Sequence, residues 1–157
     1  MKALQASSLT LLLIYTTVSI GWPIHTICKT DNLELKYTSC DPRQDFAFSL
    51  DSCSTAVPQT VNIRTGAILR HNINELFADV SLDVNGRNVP VFSSQVCERN
   101  RPKFSFCGKK KGEFVYYEGP VNIEFEDIPK GDFAVQVKFL NEDRLTILCA
   151  NFTVRSH

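Results

Sequence analysis

The sequence predicts an all-β fold, an antiparallel β-sandwich forming one domain, and three observations point there. Apolar and polar residues alternate with period two along much of the chain, turn-forming dipeptides fall between the alternating runs, and six cysteines are spread among them.

The N-terminal stretch stands apart from that pattern. Lys2 precedes an apolar run centred on Leu9 to Ile14, and the small residues Ser19 and Gly21 occupy the positions a signal peptidase reads before Trp22. Residues 1–21 are therefore expected to be a secretory signal peptide and 22–157 the mature domain. Ser7, Ser8, Thr10, Thr16, Thr17 and Ser19 interrupt the run, which falls short of the roughly twenty mostly apolar residues a membrane span needs.

The alternating runs follow in order. Phe46, Phe48 and Leu50 form the first; Ala78, Val80, Leu82 and Val84 the second; Phe104 and Phe106 a short third. Val121, Ile123 and Phe125 come next, then Phe133, Val135, Val137 and Phe139, and finally Leu148, Ala150, Phe152 and Val154. About seven short strands with one buried face account for this pattern. Asp41-Pro42, Thr65-Gly66, Asn85-Gly86, Lys111-Gly112, Gly119-Pro120 and Pro129-Lys130-Gly131 separate them, Asn85-Gly86 being suited to a tight hairpin. Asn72 to Phe77 could make a helical turn, but it is too brief to compete. The one Trp is Trp22, so the central Trp of an ordinary immunoglobulin domain is missing and only a similar architecture is expected.

Composition narrows the function. Seventeen Lys and Arg balance seventeen Asp and Glu, which argues against a protein devoted to a polyanion. Cys28, Cys40, Cys53, Cys97, Cys107 and Cys149 all lie beyond the leader and are even in number, so three disulfides are expected in an oxidising compartment. Spacing leaves fifteen pairings open, although the closeness of Cys97 and Cys107 favours a local staple. With no CxxC or Cys/His cluster, neither structural zinc nor another metal is expected. Asn151-Phe152-Thr153 is a sequon and predicts a glycan on Asn151.

Catalytic chemistry finds little support. His25, His71 and His157 are the histidines, no G-x-S-x-G elbow occurs, and His71 reads as a solvated turn residue. Glu124 and Glu126 alternate with Ile123 and Phe125, which makes them an outward polar face rather than a carboxylate pair. No enzyme activity and no catalytic residue is predicted. The unusual feature is aromatic content, eleven Phe and four Tyr against one Met. Phe rings on inner sheet faces give apolar area without demanding one ligand shape, as flexible acyl chains require.

The stretches CDPRQDFAFSLDSC, KFSFCGKKKGE, EGPVNIEFEDIPKGDF and LCANFTV resemble the secreted lipid-recognition (ML) domain family over essentially the whole mature chain, nearest its branch of Toll-like-receptor co-receptors. The resemblance implies a two-sheet, immunoglobulin-like cup whose sheets splay around an apolar cavity. It also implies the pairing Cys28 with Cys53, Cys40 with Cys149 and Cys97 with Cys107. Val135 stands where the lipopolysaccharide co-receptor carries an extra cysteine. Carried over residue by residue, the cavity lining is Phe46, Phe48, Leu50, Ile63, Leu76, Val80, Leu82, Phe104, Phe106, Val115, Ile123, Phe133, Val137, Leu148 and Phe152.

The segment CERNRPKFSFCGKKKGE then gains a reading. Arg99, Arg101, Lys103, Lys109, Lys110 and Lys111 flank Phe104 and Phe106, so charge would gather at a rim, where the anionic head of a lipid or phospholipid could sit. An acidic protein surface could meet the same cations, and nucleic acid ranks last. By resemblance the partner is the ectodomain of the radioprotective Toll-like receptor homologue on B cells. The function implied is a secreted, non-enzymatic co-receptor held at the cell surface, modulating innate responses to bacterial lipopolysaccharide and related lipids. A free extracellular or lysosomal lipid carrier is the alternative.

Overall fold

The structure, a computed structural model, describes residues 21–56, 58, 60–122 and 127–157. Residues 1–20 of the expected signal peptide, and Ile123, Glu124, Phe125 and Glu126 of the expected fourth run, lie outside the described residues. Among the described residues there are nine strands: β1 (His25–Lys29), β2 (Leu33–Ser39), β3 (Ala47–Leu50), β4 (Thr60–Ile68), β5 (Leu76–Val84), β6 (Arg87–Cys97), β7 (Phe114–Asn122), β8 (Gly131–Asn141) and β9 (Thr146–Ser156). They form a six-stranded sheet, β1-β2-β9-β8-β5-β6, and a three-stranded sheet, β3-β4-β7, in which every pairing is antiparallel. This is the predicted sandwich.

Period-two patterning sets the register. Phe133, Val135, Val137 and Phe139 stand opposite Val154, Phe152, Ala150 and Leu148, while Val80 and Leu82 stand opposite Val137 and Val135. A slip of one residue would turn every one of these side chains to the other face. That other face is polar: Gln136 Nε2 donates to Asn151 Oδ1 at 2.9 Å, and Arg155 pairs with Asp132 at 3.3 Å. The Asn85-Gly86 hairpin forms as predicted, with φ of 54° and 78° between the paired Val84 and Arg87.

Thr65-Gly66 and Gly119-Pro120, expected as turns between strands, lie instead inside β4 and β7, where they are paired in the ladder. The structure departs from the alternation pattern in two further places. β1, β2, β4 and β6 carry weaker period-two signals: Thr65 and Ala67 dilute the inner face of β4, and Val89-Pro90-Val91-Phe92 breaks the alternation of β6. Pro90 is tolerated because β6 is an edge strand. Phe104 and Phe106, expected on a strand, lie instead in a turn where the Cys107 amide donates to the Phe104 carbonyl at 3.1 Å and Gly108 takes φ 86°.

Among the described residues, three buried clusters and three disulfides consolidate the sandwich. Leu69, Ile73, Leu76, Cys97 and Ile147 fill one end; Cys28, Leu33 and Val154 fill the other; Tyr37, Phe46 and Ala150 lie between β2, β3 and β9. The bridges are Cys28–Cys53, Cys40–Cys149 and Cys97–Cys107. Tyr37 joins the sheets directly, since its hydroxyl donates to the Phe46 carbonyl at 2.8 Å and accepts the Phe48 amide at 3.0 Å. Burial pushes the Tyr37 phenol above its ordinary pKa, which keeps it a donor.

On the outer face, Asp79 accepts the Ser93 hydroxyl at 2.6 Å and Arg144 Nη2 at 3.0 Å. The Ser93 hydrogen bond first, then Arg144, hold its carboxyl below the usual range against the opposing effect of burial. A carboxylate with a depressed folded-state pKa adds stability above its unfolded pKa of about 3.9 and loses it as pH falls through the folded value. Asp79→Asn is therefore expected to lower the urea midpoint at pH 6 and to narrow the gap from wild type as pH drops below about 4. A gap that stays constant from pH 6 to pH 2 would refute that origin.

Candidate functional site

Between the sheets, β3, β4 and β7 present one face through the register Phe48↔Thr65, Leu50↔Ile63, Thr65↔Tyr117 and Ala67↔Val115. The Phe48 and Phe152 rings meet across the gap at 5.7 Å, which fixes this as the face turned to the six-stranded sheet. Opposite it stand Val80 and Leu82 of β5, Phe133 and Val137 of β8, and Leu148 and Phe152 of β9.

Those side chains are not packed as a closed core. Of the expected lining, Phe46 at 7 % exposure and Leu76 at 4 % are buried. Phe48, Leu50, Ile63, Val80, Leu82, Phe104, Phe106, Val115, Phe133, Val137, Leu148 and Phe152 are half-buried, and Ile123 lies outside the described residues. Most of their strand neighbours on the opposite face are polar, so the half-buried apolar surface of these residues lies on the inner face; Ile68, Phe114 and Tyr116 are exposed on the outer face of the small sheet. The three buried clusters take up Phe48, Phe106, Val115, Phe133, Leu148 and Phe152 at their margins, whereas Leu50, Ile63, Val80, Leu82, Phe104 and Val137 pack against none of them.

Phe104 and Phe106 reach this face from the turn that connects the free edges β6 and β7. Their rings lie nearly parallel, 7° apart with centroids at 5.1 Å, and each meets Tyr117 edge-on, at 5.7 and 5.5 Å. Tyr37 and Tyr117 complete the wall, although the expected set omitted them. The alternations Leu33-Leu35-Tyr37 and Val115-Tyr117 were the signal that could have added them.

Residues 23–156 match the ML domain. The chain belongs to the ML domain family. It is 46 % identical over 157 residues to Lymphocyte antigen 86 of Gallus gallus, covering 100 % of this chain and 98 % of that protein. The Homo sapiens Lymphocyte antigen 86 is 45 % identical over 159 residues, with 98 % of each covered. The crystal structure of chicken MD-1 complexed with lipid IVa aligns with a TM-score of 0.79 at 48 % identity, covering 87 % of this chain and 99 % of that one. A Niemann-Pick type C2 protein from Japanese carpenter ant, at 18 % identity and TM-score 0.50 over 85 % of this chain and 93 % of its own, shares the fold alone.

Within this ML domain the six cations of the basic segment part company. Arg99 Nε pairs with Glu75 at 3.2 Å, Arg101 with Glu98 at 3.9 Å, and Lys109 with Glu113 at 3.9 Å. Lys110 Nζ donates to Asn74 Oδ1 at 3.3 Å and the Lys111 amide to Asn72 Oδ1 at 2.8 Å. The Lys109–Gly112 backbone lies against the Leu69–Ile73 loop, with Ile73 N donating to Lys109 O at 2.9 Å and Gly112 N to Leu69 O at 2.7 Å. These lysines thus sit over a closed end of the ML domain. Lys103 has another position, with its Nζ 5.5 Å from the Phe104 ring centroid.

A cavity of about 1150 Å³ opens at the seam between β1 and β3. Of the expected lining it takes in only Phe46 and Phe48, and it runs outward past Tyr37 and Ala67 to Gly66, Ile68 and Phe114 on the outer face of the small sheet. Beside it Arg70 pairs with Asp41, which is 5 % exposed, and donates from Nε to Gln44 Oε1 at 3.3 Å. Asp41 also accepts the Arg43 amide at 3.0 Å. Arg70→Ala leaves a buried carboxylate without its cation, so a loss of about 3 kcal/mol is expected in urea unfolding. Arg70→Met with Asp41→Leu should recover much of it, because the desolvated charge is then gone as well.

The remaining polar candidates have structural partners. His25 Nε2 bonds Asp45 Oδ2 at 2.8 Å and stacks on Tyr37 at 4.7 Å, while His71 is half-buried in the loop after Leu69. No cluster of three or more His, Cys, Asp or Glu suited to a metal occurs among the described residues. Asn151 lies on the outer face of the six-stranded sheet, half-buried, beside Gln136.

Proposed function

We propose that this ML-domain protein is a secreted, non-enzymatic lipid-binding co-receptor. It holds an amphiphile between its sheets while engaging a leucine-rich-repeat receptor, the ectodomain of the radioprotective Toll-like receptor homologue on B cells, and so tunes innate responses to bacterial lipopolysaccharide and related lipids. The observation that carries the reading is the half-exposed apolar inner face, in a chain 48 % identical to a chicken MD-1 crystallised with lipid IVa. Each methylene moved from water onto such a face contributes about 0.8 kcal/mol, so acyl chains would supply most of the affinity and the head group the selectivity. A bound lipid alters receptor assembly only by binding one state of the complex better than another.

In this reading the leader is removed after Gly21, residues 22–157 are secreted, and the receptor retains them at the cell surface. A glycan on Asn151 would extend from the outer face of the six-stranded sheet and leave the inner face open.

Native mass spectrometry of the secreted protein, followed by organic extraction, tests the reading. About one amphiphile per chain is expected, together with capture by the receptor ectodomain. Protein that is empty, and stays empty when offered lipids, would overturn it. Receptor-independent transfer of lipid between vesicles, with no binding to the ectodomain, would identify a free carrier instead.

A further inference from the structure

One cation stands against the aromatic wall of the inner face, while of its five neighbours in the Cys97–Glu113 segment three pair with carboxylates and two lie over the Leu69–Ile73 loop. Arg99, Arg101 and Lys109 each meet a carboxylate that offsets their charge. Lys110 Nζ donates to the neutral Asn74 amide and the Lys111 backbone amide to Asn72, which places both residues over a filled end of the sandwich, away from the aromatic wall. Lys103 pairs with no carboxylate among the described residues, and its Nζ lies 5.5 Å from the centroid of Phe104. That ring stacks on Phe106 and meets Tyr117 of β7, so Lys103 adjoins the half-buried wall itself.

An ammonium held over a ring is positioned without being neutralised, because the ring offers a quadrupole and not a counter-charge. The full positive charge therefore remains available to a ligand. It also sits beside apolar groups that exclude part of the water, where an opposite charge is attracted more strongly than in open solvent. We infer that Lys103 is the residue that selects an anionic lipid head group over a zwitterionic one. This rests on the reading that the inner face holds an amphiphile. A phosphodiester with one net negative charge keeps the whole attraction, whereas a phosphocholine head carries its own cation and loses most of it.

The test is a competition between phosphatidylglycerol and phosphatidylcholine of identical acyl chains, offered in excess to the delipidated, secreted protein and read as bound ratio by native mass spectrometry. Wild type is expected to retain phosphatidylglycerol about tenfold over phosphatidylcholine, with the ratio shrinking as salt is raised. Lys103→Ala should bring the ratio near one with total lipid per chain unchanged, and Lys103→Arg should keep the preference. Lys138→Ala, an exposed cation on the polar face of β8, should leave it alone. A Lys103→Ala protein that keeps the tenfold ratio, or that loses both lipids equally, overturns the assignment. Wild type that retains both lipids without preference overturns the assignment and leaves the lipid-holding reading standing; wild type that retains neither overturns both.

Discussion

Phe104→Glu is expected to reduce lipid occupancy at least tenfold while leaving a folded, disulfide-bonded protein. The side chain is half-buried, stacked on Phe106 and edge-on to Tyr117, so the substitution removes a ring from the apolar wall and puts a carboxylate in its place. In the empty protein water still reaches that carboxylate, and Lys103 stands next to it, so the fold should tolerate the change. Once an acyl chain lies on the wall, the charge must lose its water without gaining a full set of hydrogen bonds, at a cost of several kcal/mol. The effect is therefore on binding more than on folding.

Protonation gives this prediction a second handle. A glutamic acid titrates near 4.3 in water, and a bound acyl chain would raise that value by disfavouring the charged form. Occupancy of Phe104→Glu should therefore recover partly as pH is lowered through about 5 to 4, while Phe104→Leu binds at every pH. Extraction and mass spectrometry of both variants, with circular dichroism to establish folding, decide the matter. Normal occupancy in folded Phe104→Glu at neutral pH would remove Phe104 from the lining.

How much of this was legible in the sequence depended on whether a pattern was local. β5, β8 and β9 carry apolar residues at every second position and lie centrally or beside one another, so alternation alone located them. β6 hid behind Pro90, which an edge strand accepts and a pattern search penalises. Phe104 and Phe106 misled in the opposite sense, because two rings two residues apart can share a face in a turn as well as on a strand; here they stack at 5.1 Å. Six cations within one short segment suggested a single rim. The chain reverses at Gly108 and Gly112, with φ of 86° and 88°, and carries Lys109, Lys110 and Lys111 away to the Leu69–Ile73 loop. The seam groove was illegible for a plainer reason: Trp22, Phe46, Ile68 and Phe114 are far apart in sequence, and it takes both the pairing of Ile68 with Phe114 across β4 and β7 and the meeting of β1 with β3 to bring them together.

The same distinction between local and distant contacts governs the disulfides. Cys40–Cys149 closes a separation of 109 residues and anchors the chain just after β2 to β9, with the Cys40 amide donating to the Cys149 carbonyl at 3.0 Å. Opening a loop that long restores unfolded-chain entropy worth on the order of 4 to 5 kcal/mol in the loop-closure account. Cys97–Cys107 spans only 10 residues, for which the same account gives under about 3 kcal/mol. Packing does not separate the two bridges, since Cys97 at 0 % exposure and Cys149 at 2 % are almost equally buried. Replacing Cys40 and Cys149 together by alanine in delipidated protein should therefore lower stability by more than replacing Cys97 and Cys107 together, with the gap visible in urea midpoints. Lipid must be removed first, because a ligand bound only to the folded state would stabilise each variant by its own residual affinity. Equal losses would mean that these bridges act through the sulfur atoms they bury in the folded state, and that the long loop contributes little because the reduced, unfolded chain already keeps β2 and β9 near each other.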